Sequence, residues 1–352
     1  MIEILIFAAV STLLYRLGMG PLLFLIPLQV LYIRRGKKSF GWGALLTLGL
    51  ILGIGLLLAR RFTVSGAGLS GAVLSEGTVS QAALARAAIS QAAPFLFLDM
   101  TVAVLLIGGL ALIQLPQISP ELQLPRLLRV TRHMIATAIA GLLCVPVILY
   151  LRGNEIFSTG IREFIGAWFD GMNRAIGASG VDAIQPGVQI NQTEALLEII
   201  NTVLLRSFLF SYFLILSFSW WLGTIIGARS IGRHPGLTRI ADFKLPDQYV
   251  WPLIASLALV VLNLVIPAEP LAILAWNALL IFVFLYGVSG LGIIRFLLRK
   301  LNVRPGVRWL LIIALVILAM TPRIGIAVLI LVPGLGVSEV WLKYRREERS
   351  KT

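Results

Sequence analysis

The chain has one cysteine, Cys144, in 352 residues, which excludes an internal disulfide framework and a cysteine-rich metal site. It has only two histidines, His133 and His234, and neither belongs to the paired arrangement of a zinc hydrolase helix. No nucleophile elbow of the Gly-x-Ser-x-Gly type and no glycine-rich phosphate loop ending in Gly-Lys-Ser/Thr is present. Charge is scarce as well: 13% of residues are charged, against about 25% in soluble domains. These absences remove the common hydrolase chemistries and any nucleotide hydrolysis by the chain itself. No enzymatic activity, cofactor or metal is expected.

What the chain has in abundance is apolar length. Hydrophobic residues make up 58% and the mean hydropathy is +0.93, so the expected class is an all-α, polytopic membrane helical bundle of about eight to ten transmembrane segments. A net charge of +14 would suggest nucleic acid in a soluble protein, but here the charge alternates along the chain. Basic residues crowd the connections at 34–38, 126–132, 229–244, 295–308 and 343–351, while the connections between them carry as many acids as bases. This is the positive-inside pattern, and it places both termini on the cytoplasmic side of the membrane. The expected partner is the bilayer, with no nucleic acid.

The N-terminus lacks the basic start of a cleaved signal peptide, so Ile2 to Tyr15 reads as the first membrane helix. It and the run Pro21 to Ile33 are short, and form either a tight hairpin or one broken element. The run Phe40 to Ala59 carries the pair Gly49 and Gly53, a spacing that lets helices approach closely. The connection from Arg60 to Ala93 reads as a loop lying on the protein or as a lid, with a helix-compatible second half. Asp99 lies near the outer end of the next apolar run, Pro94 to Leu115, and has three readings: an ion pair with Arg206, a bound cation, or a side chain reaching the interface. Ile161, Ile165, Trp168, Met172 and Ile176 recur at helical spacing and predict an amphipathic interfacial helix. A polar loop is expected over residues 180–193. Asn263 and Asn277 are uncharged polar groups in apolar runs, which interhelical hydrogen bonding explains.

The residue that carries most functional weight is Arg206, inside the apolar run from 194 to 229. A charge at such depth is costly and marks a candidate site. Helical spacing puts Glu198, Thr202 and Arg206 on one face. The candidate substrate-binding set is therefore Arg206, Asp99, Glu198, Asn263 and Asn277. Four divisions are expected: an N-terminal bundle (1–152), an outer connection (153–194), a C-terminal bundle (195–342) and a basic cytoplasmic tail (343–352).

Three stretches carry a resemblance to a known family: FAAVSTLLYRLGMGPLLFLIPLQVLYIRRG near the N-terminus, LPDQYVWP at 245–252 and LILVPGLGVSEVWLKYRRE at 329–347. Together they resemble the YybS-like family of predicted bacterial integral membrane proteins, a domain of unknown function. That family is in turn distantly similar to the S components of energy-coupling-factor transporters and to MreD-type proteins. The resemblance implies a first half like a six-helix S component. Such components dock on a partner subunit through alanines four apart on the first helix. Here Ala8 is followed by Thr12, with Ala9 beside them, so the surface is small but the alanine pair is not reproduced. Candidate partner-packing residues are Ala8, Ala9, Thr12, Gly49 and Gly53. Two functions follow: binding or transport of a small solute, energised by another subunit or an ion gradient, and a non-catalytic membrane scaffold that docks partners.

Overall fold

The computed structural model describes residues 1–17, 23–69, 81–118, 129–152, 186–234, 242–319 and 321–345, with isolated positions at 154, 155, 159, 160, 163 and 237. Among these residues there is no strand. Ten α-helices follow in chain order: α1 Ile2–Arg16, α2 Leu25–Arg35, α3 Lys37–Leu69, α4 Gln81–Ile118, α5 Arg129–Arg152, α6 Pro186–Ser230, α7 Val250–Val265, α8 Glu269–Lys300, α9 Pro305–Ala319 and α10 Pro322–Leu342. Proline occupies the first turn of α6, α8, α9 and α10, where its fixed φ suits the helix and its missing N–H is not needed. Among the described residues seven stretches are long and apolar enough to cross a membrane: 37–58, 96–114, 130–148, 202–230, 247–265, 269–300 and 324–342. The polytopic all-α bundle expected from composition is what forms.

The contacts divide the chain into two units, one of residues 1–203 and 211–235 and one of 204–210 and 236–352. In the first, α1 and α2 form a helical hairpin whose ends are tied by Glu3 to Arg34 at 3.5 Å and Arg35 at 2.7 Å. The N-terminus thus lies at the same end as the first basic connection. Gly36 ends α2 with φ +82°, a conformation that favours glycine, and its N–H caps the Tyr32 carbonyl. The core gathers Phe24, Leu25 and Leu28 against Leu106 and Leu110 of α4, Ala136 and Ala140 of α5, and Tyr212 and Leu216 of α6.

In the second unit α8 is central, with α10 and α7 packed on it and α9 on α10. The contact of α8 with α10 is backbone against backbone. A methyl group added at Gly290 would collide with the Val332 carbonyl, and one at Gly336 with the Tyr286 carbonyl. The C-terminal end folds back: Arg345 donates to the Phe243 carbonyl at 2.9 Å, so it lies beside the basic connection before α7.

Several expectations need correction. The connection after Arg60 is not a loop where the structure describes it: residues 60–69 end α3, and the helix-compatible second half, 81–93, is helical and runs through Pro94 into the span that follows. Residues 186–193, expected within a polar loop, are the first turns of α6, started by Pro186. The amphipathic helix around Trp168 lies outside the described residues.

Gly49 and Gly53 are exposed, with nothing within 4 Å of an added methyl, so among the described residues this pair makes no close helix contact. Ala8 and Thr12 face the chain's own core and only Ala9 faces outward, so two of the three small residues expected to meet a partner are already covered.

Candidate functional site

Helix α1 has 15 residues and is about 22 Å long at 1.5 Å per residue, short of the roughly 30 Å hydrocarbon core. A basic residue in its last turn, Arg16, therefore ends up beside the apolar bodies of longer neighbours instead of beyond them. Arg16 Nη1 pairs with Asp99 Oδ2 of α4 at 3.0 Å, and each side chain is 26% exposed. Nη2 donates to the backbone carbonyl of Ile51 on α3 at 2.7 Å. That carbonyl can be reached because Gly55, one turn on, has no side chain. A methyl there would sit 3.1 Å from Arg16 Nη2 and 2.6 Å from Leu96. The Tyr15 hydroxyl completes the group, donating to Asp99 Oδ1 at 2.5 Å and lying 2.9 Å from the Asp99 carbonyl oxygen. The Tyr15 ring packs edge-on against Phe24 at the start of the core. Arg16 Nε is buried and has no hydrogen-bond partner among the described residues.

This arrangement is a complementary pair, a guanidinium and a carboxylate, each partly reachable and each held by uncharged groups on three helices. It can present a donor fork to an anion, an acceptor to a cation, or both to a zwitterion.

The residues chosen from sequence are scattered relative to it. Asp99 is at the site, but its partner is Arg16 and not Arg206. Arg206 is half-buried on the segment 204–210, which belongs to the second unit, and among the described residues it has no hydrogen bond or ion pair. Glu198 is exposed and does not meet Asp99.

Asn263 accepts from the Ala268 N–H at 3.2 Å, so it closes the end of α7 and does not bridge helices, because Pro267 follows at the helix end. Asn277 does bridge helices. Its oxygen accepts from the Leu209 and Phe210 N–H groups at 2.8 and 3.2 Å, and its nitrogen donates to the carbonyls of Leu205 and Ile273, each at 2.8 Å. All four capacities of the amide are used on backbone, and Asn277 is 1% exposed. It is a staple between α8 and one turn of α6.

Two further polar groups were missed from sequence. In the first unit Gln114 Nε2 donates to Gln29 Oε1 at 2.5 Å, and Gln29 Nε2 donates to the Thr224 hydroxyl at 3.2 Å. Gly223 makes room for the Gln29 stem. In the second unit the buried Glu339 takes Arg345 at 2.7 Å and the Ser289 hydroxyl at 3.4 Å. The signal for each was present: a polar side chain in the middle or at the edge of an apolar run. His133 lies in the first turns of α5, buried against the rings of Trp220 and Phe213. Among the described residues no three His, Cys, Asp or Glu side chains gather as a metal site would require.

A family model described as Predicted membrane protein (DUF2232) matches residues 129–332, more than half of the chain. No curated protein and no solved structure matches it. The chain therefore belongs to the DUF2232 family of predicted membrane proteins, the YybS-like family that the sequence resembles.

Proposed function

We propose that this member of the DUF2232 family binds, and by extension transports, a small anionic or zwitterionic solute, with Arg16 and Asp99 of the first unit as its charged centre. The observation that supports this is an ion pair set among apolar helices yet about one quarter exposed on both sides. An ionisable group set among apolar helices is expensive and marks a candidate functional site. Arg206, Glu198, Asn263 and Asn277 leave the proposed site for the reasons given above. In this reading the protein sits in a bacterial cytoplasmic membrane with both termini cytoplasmic. It performs no chemistry on its solute, and draws on a partner subunit or an ion gradient for energy.

The test is thermal unfolding of the purified protein across a panel of amino acids, vitamins, nucleosides and inorganic anions, for wild type and Arg16→Ala. A ligand of the folded state raises stability by RT ln(1 + [L]/Kd), about 2.7 kcal/mol at one hundred times Kd. The expected result is one class of compound that stabilises wild type and not the variant. No shift with any compound, together with co-purification of a defined membrane partner, would replace this reading with a scaffold role.

A further inference from the structure

We infer that Asp99 and a monoanionic solute compete for Arg16, so that the anion is taken up together with one proton carried on the Asp99 carboxyl. This rests on the proposed function and adds to it a substrate class, a carboxylate-sized monoanion, and a source of coupling.

The argument starts from charge balance. Arg16 and Asp99 sum to zero when paired at 3.0 Å. An anion arriving at Arg16 while Asp99 stays ionised puts two negative charges against one guanidinium among apolar helices, which is unfavourable. If Asp99 takes a proton from solution, its carboxylate becomes a neutral carboxyl and Arg16 is left with the anion as its only counter-charge. The total is again zero. Release of the anion reverses the step: the proton leaves Asp99 and the ion pair closes.

The surroundings allow each state. Arg16 does not depend on Asp99 to stay in place, since Nη2 is anchored on the Ile51 carbonyl beside Gly55 and its guanidinium lies 5.9 Å from the Tyr15 ring centre. Among the described residues Nε is a buried donor without a hydrogen-bond partner, so Arg16 is not fully satisfied by its present contacts. The Tyr15 hydroxyl serves both forms of Asp99, donating to the carboxylate and accepting from the carboxyl. Around Asp99 the titratable side chains described are Arg16 and Tyr15 from α1 and, through its ring contact with Phe97, Tyr150 from α5. Helix α3 offers the Ile51 carbonyl and the bare Gly55.

The experiment uses the full chain in lipid nanodiscs, with acetate, L-lactate, inorganic phosphate, chloride and the zwitterion glycine as probes. Anion binding is read by thermal shift at mildly acidic and mildly alkaline pH, and proton uptake by a pH dye in weak buffer. Wild type is expected to bind a monoanion with one proton taken up, and to bind it more tightly at the acidic pH than at the alkaline one. Asp99→Asn, which fixes the neutral state, should bind the same anion at both pH values without proton uptake. Should that variant not fold, Tyr15→Phe serves instead: it removes a hydrogen bond that holds the Asp99 carboxylate in place, so the anion should displace Asp99 from Arg16 more easily and bind more tightly than to wild type.

Three results would overturn the inference. Equal binding at both pH values without proton uptake, or a zwitterion bound in its place, would leave solute binding at Arg16 intact and remove the coupling. If no probe binds either variant, the competition for Arg16 is wrong, whatever larger solute stabilises wild type.

Discussion

The two units treat a buried ion pair in opposite ways. In the second, Glu339 and Arg345 are 4% and 13% exposed, and the guanidinium and carboxylate are also engaged by the Phe243 carbonyl and the Ser289 hydroxyl. In the first, Arg16 and Asp99 are each 26% exposed, and their auxiliary contacts hold each partner separately, Arg16 on Ile51 and Asp99 on Tyr15. A pair enclosed by shared contacts is built to stay closed. A pair whose members are anchored independently can open without either one losing its place. The comparison separates a structural use of charge from a functional one within a single chain.

The comparison can be broken at several strengths. The largest effect is expected for Arg345→Ala, which strands the Glu339 carboxylate in a site that is nearly closed. Such removals cost about 3–5 kcal/mol, and the double variant Arg345→Ala with Glu339→Gln should recover part of the loss. Chemical or thermal unfolding of the purified protein would read both, and full additivity of the two changes would contradict the pair's closure. Gly336→Ala comes next. Its methyl meets the Tyr286 carbonyl, α8 and α10 must separate, and a loss of about 1–3 kcal/mol follows. The same change at Gly49, where nothing lies within 4 Å, should be close to neutral in the same assay.

Asn277→Leu should cost about 0.6–1.7 kcal/mol, the range for interhelical hydrogen bonds in membranes, with no effect on any solute-induced shift. Arg35→Ala removes an exposed pair with Glu3 and should change stability by less than about 1 kcal/mol, less still at high salt.

The sequence made some of this legible and hid the rest for identifiable reasons. Span positions and the alternation of basic connections follow from hydropathy and charge, which are local quantities. Helix starts at Pro186, Pro305 and Pro322 were equally readable, yet the first was overlooked because the polar residues after it look like a loop. The pairing of Arg16 with Asp99 joins residues 83 apart in sequence, and helical spacing cannot report it. One clue was available: the run that ends at Arg16 is too short to carry that side chain across a bilayer. Gly49 and Gly53 show the limit of a motif on one helix. The close contact that forms uses one glycine from each of two helices, Gly290 and Gly336, and neither segment advertises it alone. Asn263 and Asn277 look alike in sequence and differ in use because one sits at a helix end and the other faces a neighbouring helix.

The central claim is that the solute site is at Arg16 and not at Arg206, and the measurement that tests it most directly is the solute-induced thermal shift of wild type, Arg16→Ala and Arg206→Ala side by side. The account predicts that the shift is lost in Arg16→Ala and kept in Arg206→Ala, with both variants folded. A shift that survives in Arg16→Ala and disappears in Arg206→Ala would contradict it.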